Sequence, residues 1–124
     1  MEKKYKLTDE TIEVEGKALY RIEALKDFCE IKKGDKGGFI ESEDNLSHEG
    51  NAWVYDNACV YGTSCVYDDA RVCGNSRVYG TARVTDDACV CGTARVYDND
   101  WVYDNALGVW KRSNKKNKSW QSTK

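Results

Sequence analysis

Proline is absent from the 124 residues, histidine and methionine occur once each, and nowhere do eighteen consecutive apolar residues occur. Each absence removes a class of protein. Without a long apolar run the sequence offers no transmembrane helix. The polar start, Met1-Glu2-Lys3-Lys4-Tyr5, lacks the apolar centre of an export signal. The expectation is therefore a cytoplasmic protein with no membrane partner. A lone histidine, His48, excludes the multi-histidine metal sites. The missing proline suits a stack of strands in which every backbone N–H is needed. The length fits one domain, or one domain with an appendage.

Six cysteines are present, yet without an export signal they do not argue for a secreted disulfide scaffold. Cys59, Cys65, Cys73, Cys89 and Cys91 occupy slots where other copies of a repeat carry Arg, Tyr or Trp. Cys73 and Cys91 fall one coil apart, where a disulfide is geometrically permitted, although free thiols are expected in a cytosol. Three thiols without a fourth ligand make a poor zinc site. No metal and no cofactor is expected.

Charge is unevenly placed. All 21 acidic side chains precede residue 111, whereas Lys111, Arg112, Lys115, Lys116, Lys118 and Lys124 follow without an acid between them. An acidic body thus ends in a basic tail, residues 111–124, which reads as disordered. Trp110 and Trp120 beside those lysines could contact nucleic acid by phosphate attraction and stacking.

The dominant feature is a period of six. Valine recurs at 54, 60, 66, 72, 78, 84, 90, 96 and 102. A small residue stands two places before each (Ala52, Ala58, Ser64, Ala70, Ser76, Ala82, Ala88, Ala94), with Asp100 as the exception. Two places after each valine comes Gly or Asp, then Asn, Thr or Asp. In an extended segment residues i and i+2 share a face, so the small residue and the valine both point inward. The pair that follows is turn chemistry able to adopt positive φ. No α-helix repeats its apolar positions every six residues, and what remains is a solenoid.

These residues resemble the hexapeptide-repeat superfamily. The resemblance implies an all-β, left-handed parallel β-helix with three hexapeptides per coil, here about three to four coils. It spans residues 51–110, preceded by a β cap and lead-in over residues 1–50. Within the cap, Tyr5-Lys6-Leu7, Thr11–Val14 and Ala18–Ile22 alternate as a β-meander, with a turn at Glu15-Gly16-Lys17. The stretch Asp27-Phe28 through Lys36-Gly37-Gly38-Phe39-Ile40 is similar to the opening of uncharacterised bacterial and phage hexapeptide proteins labelled as transferases. Gly37-Gly38 is expected to be turn geometry. Leu107, Val109 and Trp110 are expected to cover the far end.

Folding the chain at 18 residues predicts what stacks. One face carries Tyr61, Tyr79 and Tyr97 beside Arg77 and Arg95. One corner carries Asp68, Asp86 and Asp104 flanked by Asp69 and Asp87. Exposed Tyr and Arg are enriched at protein interfaces, and clustered carboxylates suit a basic partner surface or imitate a nucleic-acid backbone. These ten residues are the candidate partner-binding set. Asp100, a carboxylate in an inward slot, predicts a distorted last coil or an end-on contact.

Superfamily acyltransferases act as trimers with a catalytic histidine between subunits, and His48 is the one residue here that could serve. No extended loop interrupts the repeats to shape an acceptor site, so a non-catalytic interaction protein is the leading expectation. The resemblance to phage proteins extends this to an inhibitor of a host protein or ribonucleoprotein complex, an anti-CRISPR role among them. The alternatives are a small homotrimeric acyltransferase and a structural, oligomer-forming element.

Overall fold

The computed structural model describes residues 3–103, and within them the chain is an all-β parallel β-helix closed at one end by an antiparallel cap. The cap comprises β1 (Tyr5–Val14), β2 (Lys17–Ala24) and β3 (Lys36–Ile40). A 3₁₀ turn, Glu43–Asn45, leads to the two-residue strands β4 (Trp53–Val54), β5 (Cys59–Val60), β6 (Cys65–Val66), β7 (Arg71–Val72), β8 (Arg77–Val78), β9 (Arg83–Val84), β10 (Cys89–Val90), β11 (Arg95–Val96) and β12 (Trp101–Val102). Every strand of the solenoid pairs in parallel with the strand three repeats away, giving three faces: β3-β5-β8-β11, β4-β7-β10 and β6-β9-β12. The basic tail, the end-covering Leu107, Val109 and Trp110, and Asp104 lie outside the described residues.

The repeat supplies the core. The nine valines and the small residues from Ala52 to Ala88 are almost completely excluded from solvent. The turn chemistry behaves as the sequence suggests: Gly50, Asp56, Gly62, Asp68, Gly74, Gly80, Asp86, Gly92 and Asp98 all have positive φ. This is a conformation open to glycine and tolerated by aspartate. Backbone bonds such as Cys59 N to Ser76 O and Tyr61 N to Val78 O, at 3.0 and 2.9 Å, tie each coil to the next.

The cap and the solenoid share one sheet. β1 and β2 form a hairpin around the positive-φ residues Glu15 and Gly16. β3 pairs antiparallel with β2 on one edge and parallel with β5 on the other. Phe39 and Ile40 lie in register with Cys59 and Val60, and Leu46 bridges to Val66. The lead-in thus forms an extra level beneath the repeats, for about four turns in all. Asn45 fastens this level. Its side-chain oxygen accepts the N–H groups of Glu41 and Ser42, while its nitrogen donates to the carbonyls of Gly62 and Ser64.

Two expectations are corrected. Gly37 and Gly38 are not a turn; they lie within β3. A Cβ on Gly38 would stand 2.5 Å from the Ala58 carbonyl oxygen, and one on Gly37 2.5 Å from that of Val54. Glycine is needed there because β3 runs directly against the first coil. The coil at Asp100 is not distorted through residue 103 either: Trp101 and Val102 pair in register with Arg83 and Val84. The buried Asp100 carboxylate accepts the N–H of Tyr97, so the repeat tolerates it by a local hydrogen bond.

Candidate functional site

The outer side of the sheet containing β5, β8 and β11 holds the tyrosine and arginine residues singled out by their spacing. Alternation sends Val60, Val78 and Val96 inward and the residues on either side of each outward. Tyr61 and Tyr79 stack with ring centroids 5.2 Å apart and planes 8° from parallel; Tyr79 and Tyr97 follow at 5.5 Å and 15°. Arg77 and Arg95 lie in register on adjacent strands. The structure therefore brings all five together as one ridge.

Access to the ridge changes along its length. Tyr61 is 1% exposed, packed with Val14, Leu19, Phe39 and Cys59, with Ile12 and Tyr79 at the margin. The β1–β2 hairpin curls over the outer face and covers the first rung. Burial, followed by the nearby Glu15 carboxylate, pushes the Tyr61 phenol above its ordinary range. Tyr79 is half-buried, whereas Tyr97 is 40% exposed. Trp101, around the next turn, is 44% exposed. The ridge is thus closed by the cap at one end and presents its aromatic surface at the other.

The acidic corner carries internal bonds. One Asp68 carboxylate oxygen accepts the Thr85 hydroxyl at 2.6 Å and the Asp86 N–H at 3.3 Å. Asp69 accepts the N–H of Asn51 from the coil below. Asp56 does the same for Gly74 at 3.0 Å on another corner. These carboxylates receive backbone N–H groups across coils, which offsets part of the repulsion expected of stacked acids. Asp86 and Asp87 continue the edge into the next coil, in register with Asp68 and Asp69.

His48 is half-buried within the cap. Its Nδ1 accepts the backbone N–H of Lys4 at 3.1 Å, and its Nε2 lies 2.8 Å from Oε1 of Glu43. The ring stacks on Tyr5 at 4.1 Å. A general base needs a nitrogen lone pair facing its substrate; here both nitrogens are engaged by the protein itself. The hydrogen bond from His48, aided by Lys3, holds the Glu43 carboxyl below its usual range. Beside this group Lys4 is fully buried, donating to the carbonyls of Gly50 and Ala52 with its ammonium 4.9 Å from the centre of the Phe28 ring. Burial first, and the charge of Lys26 second, bring its pKa down to about 8, against an opposing pull from Asp69. Sequence reasoning picked out His48 but missed Lys4, Tyr5 and Glu43, because no periodicity marks contacts some forty residues apart.

On the third face Cys73 and Cys91, one coil apart, are joined as a disulfide with a Cα separation of 4.7 Å, where free thiols were expected. Cys89 Sγ lies 2.9 Å from Cys91 Sγ. Compared with known proteins, the chain matches no family model and none of the curated sequences. Among the described residues no helix is long and apolar enough to cross a membrane.

Proposed function

We propose that this chain is a non-catalytic interaction module that offers a rigid β-helical ridge to a partner protein. The observation that carries this reading is the stacked Tyr61–Tyr79–Tyr97 ladder beside Arg77 and Arg95, opening onto exposed Tyr97 and Trp101. Like charges directly opposite on neighbouring strands destabilise a sheet, and Arg77 against Arg95 is such a pair. An acidic partner surface would relieve that repulsion, while Tyr97 and the half-buried Tyr79 contribute contact area at small entropic cost. Tyr61, covered by the hairpin, anchors the ladder from beneath. The engaged nitrogens of His48 favour this reading over a homotrimeric acyltransferase.

The resemblance to bacterial and phage hexapeptide proteins supports a host-directed form of the same reading. In it the chain docks on a host protein or ribonucleoprotein complex of a defence or nucleic-acid-processing system and blocks it. The acidic edge of Asp68, Asp69, Asp86 and Asp87 is the second surface available to such a partner, by mimicry of a phosphate backbone.

The test is capture of a partner from the native host by the tagged full chain, repeated with two charge-reversal variants. Arg77→Glu with Arg95→Glu should abolish capture while the circular dichroism spectrum is retained. If it leaves capture intact and Asp68→Lys with Asp86→Lys removes it, the acidic edge is the binding surface. Capture that survives both variants rejects the two surfaces together, and concentration-dependent self-association without capture favours the oligomer-forming alternative.

A further inference from the structure

We propose that, with Cys73 and Cys91 reduced, the three thiols of Cys73, Cys89 and Cys91 form a three-coordinate site for a soft monovalent cation of the copper(I) type. The three Sγ atoms lie within 4.8 Å of one another on one outer face of the solenoid, all partly accessible. Three sulfurs each about 2.3 Å from a central ion stand roughly 4 Å apart. Reducing the Cys73–Cys91 bond and turning the side chains outward must therefore open the triangle, whose Cys89 and Cys91 sulfurs stand 2.9 Å apart. The repeat explains its formation. Cys89 and Cys91 flank the inward Val90, so both point outward, and Cys73 occupies the slot of Cys91 one coil earlier. The backbone of two paired strands, β7 and β10, holds all three donors.

The chemistry of the set selects the ion. Among the described residues, no fourth Cys, His, Asp or Glu joins this cluster. Zinc in structural sites takes four ligands; thiolates alone favour soft ions such as copper(I), which is satisfied by three. Binding forms three metal–sulfur bonds and releases three protons to solvent. The resulting centre carries two negative charges, and Arg71, in register beside Cys89, supplies a neighbouring positive charge. The disulfide must first accept two electrons and two protons, which a phosphine and water supply as the phosphine becomes its oxide.

The experiment begins with the full chain, reduced by a phosphine without oxygen and then freed of it. Copper(I) is supplied as its coloured bicinchoninate complex, and loss of the visible band measures transfer to the protein. One equivalent per chain should transfer. Cys73→Ser, Cys89→Ser and Cys91→Ser should each weaken binding at least 100-fold, and Cys29→Ser with Cys65→Ser should not. No transfer, or equal transfer by all variants, overturns the site. X-ray absorption of the loaded wild-type chain gives a readout that needs no variant: three sulfur neighbours support the proposal, and two overturn it.

Discussion

The imidazole of His48 lies nearly flat against the phenol ring of Tyr5, their centroids 4.1 Å apart and their planes 14° from parallel. The two residues lie at opposite ends of the cap, and their contact locks the first strand onto the lead-in level. Tyr5 reinforces it by donating its hydroxyl to the carbonyls of Leu46 and Glu43. His48→Ala would remove the stacking, the acceptor for the Lys4 N–H and the partner of Glu43. The expected cost is ~2 kcal/mol, read as a lower urea midpoint with an unchanged m-value. An unchanged midpoint would contradict the structural role assigned to the ring.

Lys4 gives the fold a pH dependence of defined sign. Its pKa is about 8 in the folded chain, below the 10.5 of an ordinary lysine. Between those values the unfolded chain holds a proton that the folded chain has released, so stability rises with pH. Tyr5, Tyr55 and Tyr61 act oppositely. Burial raises their phenol pKa values, and their contribution to stability is lost once the unfolded phenols ionise above about 10. Burial likewise raises the thiols of Cys59, Cys65 and Cys89, which oppose the Lys4 contribution once the unfolded thiols ionise near pH 9. The Lys4 contribution is therefore read as a difference: between pH 8 and about 9.5 the wild-type unfolding free energy should gain up to ~2 kcal/mol relative to that of Lys4→Met.

Gly38→Ala tests the seam between cap and solenoid. The added methyl would stand 2.5 Å from the Ala58 carbonyl oxygen and 2.6 Å from Cγ1 of Val54. Backbone on one side and core on the other leave it no room. A loss of ~3 kcal/mol is expected, measured by chemical denaturation. Gly16→Ala at the exposed hairpin tip, where a Cβ would meet nothing within 4 Å, should cost only the strain of its positive φ, ~1 kcal/mol.

Asp68 separates backbone conformation from hydrogen bonding. Its φ is +61° and its carboxylate bonds to Thr85 and Asp86. Asp68→Gly keeps the conformation and loses the bonds; Asp68→Ala loses both. Stability should fall in the order Asp, Asn, Gly, Ala, with ~2 kcal/mol across the series. An alanine variant as stable as the glycine variant would show that positive φ costs nothing at this corner.

The solenoid was legible because each of its rules is written eight or nine times. Inward Val, the small residue before it and the positive-φ Gly or Asp after it need only be recognised once and counted. The stacking of Tyr61, Tyr79 and Tyr97 follows from the same spacing. What could not be read was whatever happens once. The hairpin that buries Tyr61, the Lys4–His48 bond and the passage of Gly37-Gly38 through β3 each join a non-repeating segment to a coil distant in sequence. The distortion expected at Asp100 is absent through residue 103 for a related reason. A break in a pattern suggests a break in structure, but a carboxylate within reach of the Tyr97 N–H satisfies its hydrogen-bonding need without disturbing the register.

The interchange of Gly and Asp at the positive-φ corners bears on how such a chain can change length. Each corner accepts either residue, so neighbouring coils are interchangeable wherever they meet. An in-frame duplication or loss of one whole coil would return every valine and every corner to its place. Gain or loss of a number of residues that is not a multiple of six would throw the remaining valines out of phase, and a single hexapeptide would carry the ridge residues to another face. Growth of this protein is therefore quantised, and the number of rungs on its ridge can be adjusted without redesigning a single one.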